Sequence, residues 1–206
     1  MKPLKESKIK FIYGSLSTAL GGALSITLVW VVLLLIFLIK GTPMPTFDGF
    51  PVRLLIANNH ILANQAKDIY LMELSGKLMF INPSIWLQLY SGFYTIIIFA
   101  CASYIIYLMR KIIWTIINGN PFEKKNADRL RIIGVLFIVV PSLLQLTTNL
   151  LVSSLVKSIK IENISLMSGS LNYIIFINIF AGTLFYVLSE ALRTGTSLKE
   201  ENELTV

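Results

Sequence analysis

Residues 11–39 read FIYGSLSTALGGALSITLVWVVLLLIFLI, twenty-nine positions without one Asp, Glu, Lys, Arg or His. A helix rises about 1.5 Å per residue, so about 20 apolar residues cross a hydrocarbon core about 30 Å thick. Working outward, windows 78–109, 132–156 and 163–189 lack the same five residue types, and the four windows cover more than half of the 206 residues. Charged residues make up 14% of the chain and its mean hydropathy is +0.72, where a soluble globular protein carries about 25% charge. This pattern excludes an ordinary water-soluble domain. It predicts one all-α integral membrane domain over residues 1–206, with spans near 16–39, 85–109, 132–156 and 172–191. The first apolar stretch exceeds a secretory h-region of about 7–15 residues and no A-x-A-like site follows it, so it is expected to remain as span one.

The net charge is +7, and its placement argues for topology rather than for nucleic acid. Twelve basic residues fall on one side of the four spans: Lys2, Lys5, Lys8 and Lys10, then Arg110, Lys111, Lys124, Lys125, Arg129 and Arg131, then Arg193 and Lys199. The other side holds six, in the loops after spans one and three. Short-loop Lys and Arg stay cytoplasmic, so both termini are expected inside. The bilayer and its anionic headgroups are the expected partner of this charge, with no direct nucleic-acid contact.

Residues 40–84 are expected to form a small extracytoplasmic cap between helices 1 and 2. Gly41, Pro43, Pro45 and Gly49 break its start, and residues 52–56 read as a short strand. Segments 69–74 and 77–81 flank Ser75-Gly76, a two-residue hairpin signal. A lone hairpin is marginal in water, so 52–56 should join it as a third strand. His60 is the one histidine and Cys101 the one cysteine. A metal site needs several ligands, a disulfide needs two cysteines, and acid–base chemistry needs a paired group. No metal, cofactor or enzymatic activity is therefore expected.

Inside the spans the polar residues carry the information. Gly14, Thr18 and Gly22 form a small-residue face on span one, suited either to packing within the chain or to a homodimer seam. Residues 28–38 are expected to face lipid. Gly119 should end helix 2, and Asn120-Pro121 should open helix 3 as N-cap and N1. Pro141 lies inside span three and should kink it. Gln145 and Asn149 lie four apart on span three, and Asn172 and Asn178 on span four. In an antiparallel pair the depths match as Gln145–Asn178 and Asn149–Asn172. These amides are read as helix-pairing bonds, worth about 0.6 kcal/mol on average, or as a polar layer for a small ligand or solute. No charged residue sits at the middle of a span, which disfavours proton relays and voltage sensors.

After span four, Gly195 is placed to cap the helix, and Ser197 to Glu200 has capping-box spacing for a short second helix in the tail, 192–206. Glu200, Glu201 and Glu203 make that tail acidic. It reads as a solvated end or as a docking peptide, with Leu198 as an apolar contact.

Two segments carry a resemblance. Gly119-Asn120-Pro121-Phe122, Asn126 and 130–134 (Leu-Arg-Ile-Ile-Gly, containing Arg131) resemble the cytoplasmic loop of the YoaS-like bacterial membrane proteins, a group of unknown function. Glu190, Arg193, Gly195, Leu198, Glu200, Glu201 and 204–206 resemble that group's C-terminal signature, with Leu192 where Phe is expected. The resemblance implies a bacterial cytoplasmic (inner) membrane protein that holds or releases a small helix-turn-helix regulator at its cytoplasmic face. Pro121, Phe122, Asn126, Arg131, Glu190, Arg193, Gly195, Leu198, Glu200, Glu201 and Glu203 are then the expected docking residues. The alternative is a small transporter or channel subunit built on Gln145 and Asn178.

Overall fold

The computed structural model describes residues 2–40, 50–56, 74–78, 84–157, 164–168 and 173–204. Four helices dominate it: α1 (Lys2–Lys40), α2 (Ile85–Ile117), α3 (Lys124–Val156) and α4 (Tyr173–Leu204). All four are long and apolar enough to cross a membrane, which makes this a multi-pass membrane protein. Each is longer than the apolar stretch within it. At about 1.5 Å per residue, the 39 residues of α1 reach about 58 Å, so its basic first turns run on past the hydrocarbon. Lys is a good helix former, and Pro3 stands in the first turn, where its missing amide costs the helix nothing.

Local chemistry explains the helix ends, and it corrects two expectations. Ser84 caps α2, its side chain accepting from the Leu87 amide at 3.4 Å. Gly119 ends α2 as expected, with φ at 82°. Its amide donates to the Ile116 carbonyl at 3.1 Å and that of Asn120 to the Thr115 carbonyl at 2.9 Å, the paired bonds of a Schellman motif. Asn120 is thereby used up in closing α2. The N-cap of α3 is Glu123, with no side-chain bond, so Asn120-Pro121 forms the turn and not the start of the next helix. Gly195 does not end α4. The helix continues through it to Leu204, and Thr196 and Ser197 donate back to the carbonyls of Leu192 and Arg193 at 2.8 and 3.3 Å. No second helix starts at Ser197. α3 likewise stays one helix through Pro141.

Three short strands, β1 (Phe50–Ile56), β2 (Leu74–Leu78) and β3 (Ile164–Ser168), pair antiparallel in the order β2-β1-β3. The register places Leu54 opposite Leu74 on one side and Leu166 on the other. β2 passes straight through Ser75 and Gly76, so the hairpin turn expected there does not form. Ser-Gly is a weaker turn signal than Asn-Gly, and pairing with β1 takes up the backbone bonds of this segment. Residues 69–73 and 79–81, and most of the cap expected over 40–84, lie outside the described residues. β3 comes from the connection between α3 and α4, inside the charge-free window 163–189.

The helices pack in chain order as a row, each antiparallel to the last. Among the described residues α1 packs on α2 alone and α4 on α3 alone. Leu34 and Phe37 of α1 are buried with Trp30 against Leu89 and Ile96 of α2, so residues 28–38 do not all face lipid. Leu28, Val29, Val32 and Leu35 do remain exposed. Leu87 of α2 meets Val152 of α3, and the Tyr90 hydroxyl lies 2.7 Å from Thr148 Oγ1 and 3.1 Å from Thr147 Oγ1. α3 and α4 approach most closely. A methyl group on Gly182 would sit 2.6 Å from the Gly134 carbonyl oxygen, and one on Gly134 would sit 2.7 Å from the Gly182 oxygen. Beside this crossing Phe137 and Phe185 stack with centroids 5.6 Å apart. By contrast, nothing lies within 4 Å of where a methyl group would stand on Gly14, Gly21 or Gly22. Among the described residues the small-residue face of α1 therefore makes no such contact.

This contrast is testable by substitution. Gly182→Ala should lower the unfolding free energy in detergent by about 1–3 kcal/mol, because backbone cannot yield as a side chain can. Gly22→Ala should leave it unchanged or raise it by up to about 1 kcal/mol. Equal effects at the two positions would remove the crossing from the account.

Candidate functional site

A cavity of about 430 Å³ opens between α2, α3 and α4, within the range of about 300–1,000 Å³ typical of ligand pockets. The row arrangement creates it, since α4 follows α3 without closing onto α2. Its wall is mostly aliphatic and aromatic, with Tyr94, Cys101, Gln145 and Asn178 as the groups able to hydrogen-bond and Pro141 beside them. Proline has no amide to give, so the Phe137 carbonyl one turn back loses its helical partner at the same level. Ser142 donates its hydroxyl to the next carbonyl, Ile138, at 2.6 Å.

The polar layer read from sequence is thus partly assembled here. Gln145 Nε2 donates to Asn149 Oδ1 at 2.9 Å along one face of α3. Gln145 and Asn178 line the same cavity from facing helices. Asn172 lies outside the described residues. That bond runs along α3, because a four-residue offset aligns two amides on one helix without further cost. A small, largely apolar molecule with one donor or acceptor fits such a wall.

A second assembly lies at the end of the row that holds the α2–α3 turn. Asn126 is fully buried, at 0% exposure. Its Nδ2 donates to Thr115 Oγ1 at 2.6 Å and to the Pro121 carbonyl at 3.2 Å, and its Oδ1 accepts from Arg129 Nη1 at 2.7 Å. One amide thus ties the end of α2, the turn and the start of α3 together. Asn fits because its side-chain amide supplies two N–H donors and a carbonyl acceptor at once, where a hydroxyl has a single hydrogen to give. Next to it, the buried Ser189 of α4 donates to the Ala127 carbonyl at 2.8 Å. Further along α4 the Phe122 ring lies against Gly195, 3.6 Å from where a methyl group would stand. Gly195 touches Phe122 at ordinary contact distance and does not reverse the chain. Arg131 sits over the Tyr186 ring at 5.5 Å.

The structure therefore brings the two signature segments together, as one joint between the α2–α3 turn and the last turns of α4. Phe122, Asn126, Arg131 and Gly195 belong to it. Glu190, Arg193, Leu198, Glu200 and Glu201 are exposed on α4, and Pro121 is exposed in the turn. The side chain of Glu203 lies outside the described residues. Sequence reading missed Thr115, Ser189, Gly134 and Gly182. None stands in a repeated pattern, and each matters only through a partner on another helix. A signal existed for Gly134 alone, which falls inside the 130–134 segment.

Replacing Asn126 should test the joint. Asn126→Ala leaves Thr115 and Arg129 without their buried partner, a loss of about 1–3 kcal/mol. Ser197→Ala, which removes one exposed bond within α4, should change stability by less than about 0.5 kcal/mol. Thermal unfolding of both purified variants in one detergent would show the difference.

No curated protein and no solved structure matches the chain. A family model described as protein of unknown function (DUF2975) matches residues 75–206. That range includes the cavity-lining helices and both halves of the joint, and it covers well over half of the sequence. The chain belongs to this DUF2975 family.

Proposed function

We propose that this protein is a regulatory or sensory scaffold of the bacterial cytoplasmic (inner) membrane, YoaS-like, with both termini in the cytoplasm. It catalyses no reaction. The observation that carries this reading is the joint, where both signature segments meet at one end of α4. The exposed turns beyond it, from Ser197 through Glu201, form an acidic helical surface for a cytosolic partner. A small helix-turn-helix regulator suits that surface, because a DNA-binding protein presents a basic face that the acidic helix and DNA would compete for. The cavity at Gln145 and Asn178 is the input side, taking a small, largely apolar molecule. The uncovered face at Gly14, Thr18 and Gly22 supports a homodimer through α1.

The second reading is a small transporter or channel subunit. It is favoured by the same cavity, since Gln145 and Asn178 both line it.

Three variants separate these readings. Deleting residues 197–206 spares the buried Thr196, so the truncated protein should insert at normal abundance. It should lose its co-purifying cytosolic partner and change transcription of a small gene set. Charge reversal of Glu200, Glu201 and Glu203 should reproduce both effects. Ala102→Trp, which fills the cavity from α2, should shift transcription in the same genes. If all three variants keep normal abundance, partners and transcription, the regulatory reading fails, and solute flux through the cavity becomes the function to measure.

A further inference from the structure

The basic residues at the boundary of α1 and α2 are not spread over a solvated face. They converge on a small hollow of about 200 Å³ formed by Tyr13 of α1 with Tyr107, Arg110, Lys111 and Trp114 of α2. Arg110 donates through Nε and Nη2 to the Tyr13 hydroxyl at 3.1 and 2.9 Å, and its guanidinium carbon lies 5.1 Å from the centre of that ring. A guanidinium has five N–H donors in a fixed fork. Tyr13 engages one edge, which sets the plane and leaves the Nη1 side for another acceptor. Lys111 Nζ stands 4.7 Å over the Tyr107 ring, and Trp114 packs against Tyr13 with centroids 5.4 Å apart. Among the described residues no carboxylate pairs with Arg110 or Lys111.

We propose that this hollow binds the phosphate of an anionic phospholipid, a lipid whose headgroup carries net negative charge. Three features choose this occupant. Two adjacent cations are held by aromatic rings and not by acids, so their charge is unspent. Arg110 directly follows the charge-free window 78–109, which sets it at the level where a phosphate ends and acyl chains begin. Tyr104 and Tyr107, stacked at 6.3 Å on the turn toward the membrane and both exposed, offer the amphipathic surface that suits the glycerol level. The bidentate fork of Arg110 matches two phosphate oxygens, and Lys111 adds a point charge. Bound there, the lipid bridges α1 and α2 at the end of the row where their aromatic contacts lie. Neither the midplane cavity nor the α3–α4 joint is needed for it.

The test uses the full chain in nanodiscs of phosphatidylcholine doped with phosphatidylglycerol, released into the gas phase for native mass spectrometry. The wild-type protein should retain phosphatidylglycerol in preference to phosphatidylcholine. Lys111→Gln, at an exposed position with no hydrogen bond from its ammonium, should reduce that preference about fivefold, and Arg110→Gln/Lys111→Gln should reduce it further. Lys124→Gln/Lys125→Gln, which removes the same charge from exposed positions on the same end, should leave it intact. Millimolar inorganic phosphate should not displace the lipid, because the acyl chains contribute to its hold. Equal retention of the two lipids by the wild type would overturn the proposal. So would full preference in the Arg110/Lys111 variant, an equal loss in the Lys124/Lys125 variant, or displacement by free phosphate.

Discussion

The contact of Gly134 with Gly182, backbone against backbone, is the constraint on which the rest of the structure depends. Within lipid there is no hydrophobic drive to bring two apolar helices together, so close packing and weak Cα–H contacts must do it. The two glycines permit that approach at one level of α3 and α4. On one side of the crossing, Phe137 and Phe185 stack and the helices lead to the cavity wall. On the other side, Ser189 reaches the Ala127 carbonyl and Gly195 reaches Phe122. A side chain at the crossing would spread the pair and pull both ends out of register.

Much of the fold was legible because the bilayer imposes a length rule that charge-free windows satisfy or fail. The four spans, the α2 end at Gly119 and the lack of mid-span charge all follow from residue type alone. What was not legible depended on partners in space. Gly195 and Gly119 look alike as helix-ending glycines, yet only Gly119 takes a positive φ. Ser75-Gly76 reads as a turn until β1 is available as a partner strand, and β3 is hidden in an apolar window whose far end belongs to α4. The small-residue face of α1 has the pattern of a helix contact, whereas the close contact lies at two isolated glycines with no pattern.

The candidate site divides in the same way. Gln145, Asn178 and Pro141 stand out in sequence because polar groups and proline are rare in hydrocarbon, and all three line one cavity. The signature residues stood out through resemblance, which could not say that Asn126 is a buried tie and not a docking group. Its environment, with Thr115, Pro121 and Arg129 around one amide, is a matter of three chain segments meeting. Under the proposed function this division is useful, since a ligand between α2 and α4 and a partner beyond Gly195 would act on the same helix pair from opposite ends. Such coupling requires two arrangements of that pair which each binding event favours differently.

Reactivity at Thr196 reports most directly on whether the crossing holds the joint closed. Thr196 is buried at 6% exposure on the last turns of α4, well beyond the crossing. With Cys101 replaced by serine, a cysteine at Thr196 should react slowly with a small maleimide. Adding Gly182→Val should accelerate that reaction about tenfold, as expected when local opening becomes easier by about 1.4 kcal/mol. Rates that stay equal with and without the Gly182 substitution would contradict the account, because the joint would then stand without the crossing.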